Sequence, residues 1–578
     1  MTQSTNTPWI IFGIIALVVL VAVGAVSKSG NAAEAVEITI ASSSTKKEWL
    51  NDSVSLFNKA SRSEERLQID GKAVRVEVLE EEIEPGKFDH YRSGTMVTDI
   101  LSGKIQPIVA SPAEESWLEK LGRDWGDTHS STLISSRPVA LVRTPLVIAM
   151  WQSRATALGC WPVSTPDCTW KRLSELASSP EGWGSVGHEE WGNLKFGYGY
   201  VGESNSGTLT AVMLCMTGVA KIAGLEPSDV NETNGCGQTI RAVEHAKVHS
   251  GRKSSWLLDW MLTGGPEYLD AVTTYEQEVI EFNKLNSEKL REPLVAAYPQ
   301  DGTVVVEHPF AILDGADWVT PEQARGAALL LEFLLSEPRQ AALGEVGLRP
   351  ADPAKKPLSI EARYGANPDA LLLPVVLPDV VTLDRITEVW HKNKKHSVLA
   401  LVFDKSGSME GEKMTTALAG AKAFVDAMDP DDYFIWIPFD QRVYTGAEGL
   451  KSEIGEKLTG DISGTVASGG TALYDAIAHG YQSLEQIRKT SGDTVRYGIV
   501  VLSDGVDTSS QSGKVGLQEL LSRSEGDPTA IQIHTIGIGS DADKATLRRI
   551  SGSAHGAYWD AENPELAVEA YRQIAVHY

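Results

Sequence analysis

Cysteine is scarce in this chain: four in 578 residues, at Cys160, Cys168, Cys215 and Cys236. None stands in a Cys-x-x-Cys pair, and no histidine pair accompanies them at zinc-site spacing, which argues against a structural zinc module. Positive charge is scarce as well. Lys and Arg number 52 against 77 Asp and Glu, for a formal net charge of -25. So acidic a chain repels nucleic acid backbones, and no basic patch with interleaved aromatics offsets the repulsion, so no nucleic acid partner is expected. The familiar catalytic signatures are missing too. There is no Gly-x-Ser-x-Gly elbow, no His-Glu-x-x-His pair and no Walker loop, so a binding protein is expected and not an enzyme. Neither an internal repeat nor a low-complexity tract is present.

The length requires more than one domain, and a composition of 42% hydrophobic and 22% charged residues is ordinary for globular protein. Residues 1–8 form a short tail without Lys or Arg. Trp9 to Val26 then run uncharged and apolar, just long enough to cross a hydrocarbon core. With no basic segment ahead of it, this run reads as an uncleaved signal-anchor, a transmembrane helix. Cleavage near Ala33-Glu34-Ala35 is the alternative. No Cys follows the run, so a lipoprotein anchor is not expected, and Lys28 on its C-terminal side leaves the positive-inside rule with little to say. The even cysteine number after a membrane-targeting segment suggests disulfides. Cys160 with Cys168 and Cys215 with Cys236 are the pairings that close short loops. Buried thiols, at Cys215 or at all four, are the other reading.

Val398-Leu399-Ala400-Leu401-Val402-Phe403 is a continuous apolar run, as expected for a strand buried on both faces. Asp404-Lys405-Ser406-Gly407-Ser408 follows, with one carboxylate and two hydroxyls at alternate positions. Oxygens gathered this way suit a hard divalent cation without neutralising it. Gly469-Gly470-Thr471 adds a hydroxyl just before a helical run. Ile499 to Ser503 is a second buried strand, ending at Asp504.

Asp-x-Ser-x-Ser, a later Thr and an Asp after a strand resemble the metal-ion-dependent adhesion site of von Willebrand factor type A domains. The strand Ile531 to Gly539 is also usual in that family. The resemblance implies a doubly wound, Rossmann-like α/β domain over residues 396–578. It further implies Mg²⁺ or Mn²⁺ held by the hydroxyls of Ser406, Ser408 and Thr471, with Asp404 and Asp504 as supporting carboxylates. An ion left short of negative charge accepts an acidic side chain from a protein partner.

Two earlier segments share one design. Val36 to Ala41 reads as a strand, Ser42-Ser43-Ser44-Thr45 as a loop, and a helix follows through Trp49, Val54, Leu56 and Phe57. Phe196 to Tyr200 reads as a strand, Glu203-Ser204-Asn205-Ser206-Gly207-Thr208 as a loop, and Leu209 to Ala220 as a helix. Hydroxyls and free N–H groups at a helix N-terminus favour an anion or polar ligand, although ordinary N-caps look the same. Pro145 to Trp151 reads as a buried strand between the two. Ala297 to Leu313, a helix over 321–335 and Leu348 to Ala351 complete the order.

This order resembles bacterial extracellular solute-binding proteins of the transporter-associated kind, over residues 36–351. The resemblance implies two α/β lobes joined by crossing strands, a periplasmic-binding-protein-like module with its ligand in the cleft. Carried over, Ser42, Ser43, Ser44, Thr45, Ser111, Ser204, Asn205, Ser206 and Thr208 are the candidate cleft residues, suited to an oxyanion or a small polar solute. Tryptophans crowd Trp117 to Trp191, where stacking platforms and packed core look alike. Residues 352–395, rich in proline at first, read as a linker ending in a short helix. The expectation is an α/β protein in which an N-terminal transmembrane helix precedes a solute-binding module and a type A domain. It would be a single-pass protein of the cell membrane with its bulk extracytoplasmic. The alternative is the solute-binding component of a membrane transporter.

Overall fold

In the computed structural model, residues 35–578 are described except 85–86, 130, 203, 252–253, 356–361, 493–494, 505, 523–529, 555, 562–563 and 576–578. The anchor expected over 9–26 lies outside the described residues. Among those described, no helix is long and apolar enough to cross a membrane.

The first lobe alternates β1 (Val36–Ser42), α1 (Lys47–Ala60), β2 (Lys72–Glu84), α2 (Ser93–Leu101), β3 (Val109–Ser111) and α3 (Ser116–Thr128). Strand β4 (Val139–Trp151) then leaves it. The second lobe carries β5 (Phe196–Gly199), α4 (Asn205–Val219), α5 (Ser254–Gly264), β6 (Ala271–Tyr275), α6 (Glu276–Asn286) and β7 (Leu294–Ala297). The chain returns through β8 (Val305–Ile312) and α7 (Pro321–Leu334).

Sheet order runs β2-β1-β3-β8-β4-β6-β5, with β7 also paired to β4. The crossing strand is longer than the apolar run that announced it. Val139 to Pro145 pair with β8, whereas Leu146 to Trp151 pair with β6 and β7. One strand therefore serves both lobes, and β8 brings the chain back by pairing with the first part of β4 and then with β3. Helix α4 is buried almost all round from Asn205 to Met216, which explains its unbroken apolar composition. Gly207 lets its first turn sit on the end of β5, because a Cβ there would lie 2.2 Å from the Gly199 carbonyl oxygen. Trp151, Trp170 and Trp183 are fully buried, so much of the tryptophan-rich stretch is core. Both disulfides form, Cys160–Cys168 and Cys215–Cys236.

Helix α8 (Val380–Asn393) ends the connection and leads into a second sheet. Its elements are β9 (Ser397–Asp404), α9 (Glu412–Ala427), β10 (Tyr433–Phe439), β11 (Glu448–Leu450), α10 (Leu473–Ser491), β12 (Arg496–Ser503), β13 (Gln532–Ile538) and β14 (Tyr558–Ala561). The order is β11-β10-β9-β12-β13-β14, parallel except at β11. Alternate residues of β9 face opposite layers. Leu399, Leu401 and Phe403 pack with Ala417, Ala421 and Phe424 of α9. Val398, Ala400 and Val402 pack with Leu473, Ile477 and Tyr481 of α10. A strand buried on both faces has no polar alternation to show, hence the continuous apolar run.

The two halves touch at Glu244, which is fully buried. Its carboxylate accepts Trp390 Nε1 of α8 at 2.7 Å and Arg496 Nη2 of β12 at 3.4 Å, and also bonds Lys247 and Tyr198. Burial alone would raise its pKa, but Lys247 and Arg496 hold it down to about 2.

Candidate functional site

Two sites lie at strand ends, one in each half. In the first half, the loop after β1 and the start of α4 come from different lobes and face one small cavity of about 40 Å³. Ser43, Ser44 and Thr45 line it from the first lobe, with Tyr91, Arg92, Ser93 and Ala113. Ser204, Asn205, Ser206, Ser254, Tyr275 and Glu278 line it from the second. The lobes are bonded across it, Trp117 Nε1 donating to Asn205 Oδ1 at 2.7 Å, while within the second lobe Asn205 Nδ2 donates to the Tyr275 hydroxyl at 2.8 Å.

The starts of α2, α4 and α5 contribute to this lining through Ser93, Asn205 and Ser254, and helix N-termini favour an anion or polar ligand. Ser204 and Ser206 share a hydroxyl contact of 3.0 Å. Arg92 is held by Glu81, its Nε 3.1 Å from Oε1. Behind Ser43, Lys46 is buried with no carboxylate partner, donating to Ser43 Oγ at 2.7 Å and to the Ser111 carbonyl at 2.8 Å. Burial pushes the Lys46 pKa well down, and burial beside Lys46 does the same to His308.

Not every residue expected in the cleft lines it. Ser42 is fully buried and its hydroxyl turns to the Ser43 carbonyl. Ser111 donates to the Pro309 carbonyl at 2.6 Å, serving the β3–β8 junction. Thr208 lies one turn into α4 and caps the preceding loop, accepting from Gly202 N–H at 2.9 Å. Arg92, Ser93, Ser254, Tyr275 and Glu278 were not anticipated. For Ser93 a signal existed, a polar start to a helix of the same design as the two that were noticed.

A second cavity of about 300 Å³ adjoins the first and shares Ser44, Thr45 and Glu278 with it. Its further lining includes Lys46, Lys47, Glu48, Asp89, Gln277 and Glu281. Lys47 is paired with Asp89 at 2.8 Å. Burial, with Glu48 and Glu278 close by, raises the Glu281 pKa to about 7.

In the second half, Asp404 ends β9 fully buried. Its Oδ1 accepts the Ser406 N–H at 2.8 Å and its Oδ2 accepts Ser503 Oγ at 2.5 Å. Ser406 and Ser408 hydroxyls are 3.1 Å apart, and Ser408 donates to Asp504 Oδ1 at 2.8 Å. Gly407 N–H donates to the Gly469 carbonyl at 3.0 Å, which brings the loop of Thr471 alongside. Thr508 and Ser509 N–H groups bond the Thr471 carbonyl, while the Thr471 hydroxyl makes no hydrogen bond although the residue is 5% exposed. Burial, with Asp504 beside it, raises the Asp404 pKa to about 6.

This donor set fits a hard divalent cation: hydroxyls in mutual contact, one of them against a carboxylate, and a threonine hydroxyl left without a protein partner. Lys413 adds a resident cation, donating to Asp504 Oδ2 at 2.6 Å and to Asp541 Oδ1 at 2.8 Å. Lys405, between the two ligand positions, turns away to Asp440 and Tyr444. At the opposite end of the sheet, His396, Asp429 and Asp431 bring potential metal-binding atoms within 4.8 Å of one another.

Residues 38–349 match the family model described as bacterial extracellular solute-binding protein, and residues 399–573 match that of the von Willebrand factor type A domain. Among curated proteins, sll0103 of Synechocystis sp. is 29% identical over 176 residues, 30% of this chain and 40% of that protein. Inter-alpha-trypsin inhibitor heavy chain H2 of Mus musculus is 27% identical over 187 residues, 31% of this chain and 20% of that protein. The chain thus spans well under half the length of either relative. Among solved structures, a periplasmic thiamin binding protein aligns with a TM-score of 0.41 at 11% identity, over 64% of this chain and 99% of that one. A von Willebrand factor type A protein from Catenulispora acidiphila aligns with a TM-score of 0.28 at 19% identity, over 32% of this chain and 42% of that one.

Proposed function

The chain belongs to the bacterial extracellular solute-binding protein family and also carries a von Willebrand factor type A domain, and from this we propose that it is a membrane-anchored, extracytoplasmic binding protein with two ligands. The cleft takes a small polar solute or oxyanion. The type A domain engages a protein partner through a divalent ion, Mg²⁺ or Mn²⁺. The observation that carries the solute half is the cavity lined from both lobes and bridged by Trp117 and Asn205. Hydroxyls and helix-terminal N–H groups orient such a ligand without a covalent step, and closure of the lobes over it excludes water.

At the other site, the Ser406, Ser408 and Thr471 hydroxyls and the Asp404 and Asp504 carboxylates are the residues that would hold the ion. When bound, the ion supplies an open coordination position for a partner's carboxylate. The chain's own part is to keep three of those five groups neutral, so that the site retains a deficit of negative charge. Asp404, tied to Ser406 and Ser503, fixes the loop in the shape the other oxygens require. The apolar run at 9–26 is the feature that supports anchoring.

Titration calorimetry with MnCl₂ tests the metal half. Asp404→Ala and Ser406→Ala are each expected to abolish ion binding while circular dichroism stays unchanged. Ion binding equal to the parent's in both variants would overturn the assignment.

A further inference from the structure

Lys46 lies behind the loop after β1, 1% exposed, and no carboxylate is bonded to it. Its Nζ is 2.7 Å from Ser43 Oγ, 2.8 Å from the Ser111 carbonyl and 3.5 Å from the Pro112 carbonyl. An unpaired charge so placed is costly, and burial pushes the Lys46 pKa well down. These neighbours suit either protonation state. As an ammonium, Lys46 gives a hydrogen to Ser43 Oγ and to each carbonyl. As an amine it gives its hydrogens to the carbonyls, and its lone pair faces Ser43 Oγ, the neighbour of the three that can donate.

His308 of β8 decides what Ser43 does next. Its ring is fully buried, with Nδ1 3.2 Å from Ser43 Oγ and Nε2 without a hydrogen-bond partner. A buried N–H without an acceptor costs more than a bare ring nitrogen, so the neutral ring is assigned its proton on Nδ1, which donates to Ser43 Oγ. Burial beside Lys46 keeps that ring neutral. With Lys46 as an amine, Ser43 accepts from His308 and donates to Lys46. With Lys46 as an ammonium, Ser43 accepts from both, and its own hydrogen is left for the small cavity that Ser43 lines. An acceptor there, above all a negatively charged one, completes the network.

We infer that Lys46 is a proton switch: an anion bonded to the Ser43 hydroxyl in the small cavity and a proton on Lys46 stabilise each other, so that the cleft takes up an anionic solute together with a proton. The inference deepens the solute-binding reading above and rests on it. It makes Lys46 a positioning residue that acts through Ser43, and it selects an anion over a neutral polar solute. Besides His308, the titratable groups that line the larger cavity with Lys46 are Glu48 at the start of α1, Glu278 and Glu281 on α6, and Lys47 paired with Asp89. Arg92, beside the anion position, is held by Glu81. Glu281, raised to about 7 chiefly by burial, titrates in the same range and has to be told apart from Lys46.

Calorimetry on the full chain in detergent does so with sulfate and acetate, both fully ionised from about pH 6 to about pH 9. At least one of them is expected to bind with uptake of about one proton, read as the difference in heat between two buffers of unlike ionisation enthalpy. At low pH the empty cleft already holds the proton. As pH rises the proton must come from solution, so the affinity should fall by up to about tenfold per pH unit. Lys46→Met, which keeps the length of the side chain, should abolish uptake and slope together. Ser43→Ala should weaken the anion and uncouple it from the proton, with circular dichroism unchanged in both variants. Glu281→Gln should leave the uptake in place. Anion binding without proton uptake in the parent, or an uptake that survives Lys46→Met or disappears with Glu281→Gln, would overturn the inference and leave a solute-binding cleft standing. No binding of either anion would overturn it and count against the oxyanion part of the solute-binding reading as well.

Discussion

The metal-type site and the cleft are built by opposite strategies. Asp404, Ser406 and Ser408 lie within five residues of one loop, on a strand buried on both faces, and Thr471 and Asp504 come from loops at the same edge of the same sheet. The cleft draws on residues from Ser43 to Glu278 in two lobes, and its lobes meet through the bond of Trp117 to Asn205. The first site is fixed when one sheet folds. The second exists only where two lobes come together. Covalent reinforcement follows the same division. All four cysteines belong to the cleft half, and the type A half contains none.

Glu244 is where that division can be broken most forcefully. It joins the second lobe, α8 and β12 in one buried charged cluster. Glu244→Ala leaves the buried Lys247 without its carboxylate, and the expected cost is about 3–5 kcal/mol of stability, measurable by denaturant unfolding. A cost below about 1 kcal/mol would show that the junction is not a structural link. Because the Glu244 pKa is depressed, its contribution is present above the ordinary carboxylate range and is lost only as pH falls from 4.5 toward about 2.

Reduction acts on one side only. Breaking Cys215–Cys236, with a sequence separation of 21, should cost about 3 kcal/mol, and breaking Cys160–Cys168, with a separation of 8, about 2.5 kcal/mol. Calorimetric scans with and without dithiothreitol should therefore lower the unfolding of the cleft half and leave the type A half in place. A type A transition that moves by the same amount would mean that the halves unfold as one unit.

The smallest expected effect comes from Glu281. Its folded-state pKa of about 7 lies above the ordinary 4.5, so the folded protein holds a proton that the unfolded chain has released. Stability should fall as pH rises through that window, and Glu281→Gln should flatten the melting temperature between those limits. A slope unchanged by the substitution would show that neither burial nor the nearby Glu48 and Glu278 raises the Glu281 pKa.

The same contrast explains what could be read from sequence. The Asp404 loop was legible because its oxygens are local and its strand is apolar throughout. Ser43 to Thr45 and Ser204 to Ser206 were legible as polar loops between a strand and a helix. Position along such a loop was not. Ser42 still belongs to the strand and points inward, and Thr208 is already inside the helix. Glu278 and Ser254 carry no local signal, since only the packing of α5 and α6 brings them to the cleft. Lys413 escaped for a similar reason, because it lies on α9, away from Asp504 in sequence.

The most direct test of a two-ligand binding protein is native mass spectrometry of the full chain released from detergent. The account predicts a small molecule and one divalent ion carried together, with the ion lost and the small molecule kept in Asp404→Ala. A chain that carries no small molecule, with an ion adduct unchanged in that variant, would contradict it.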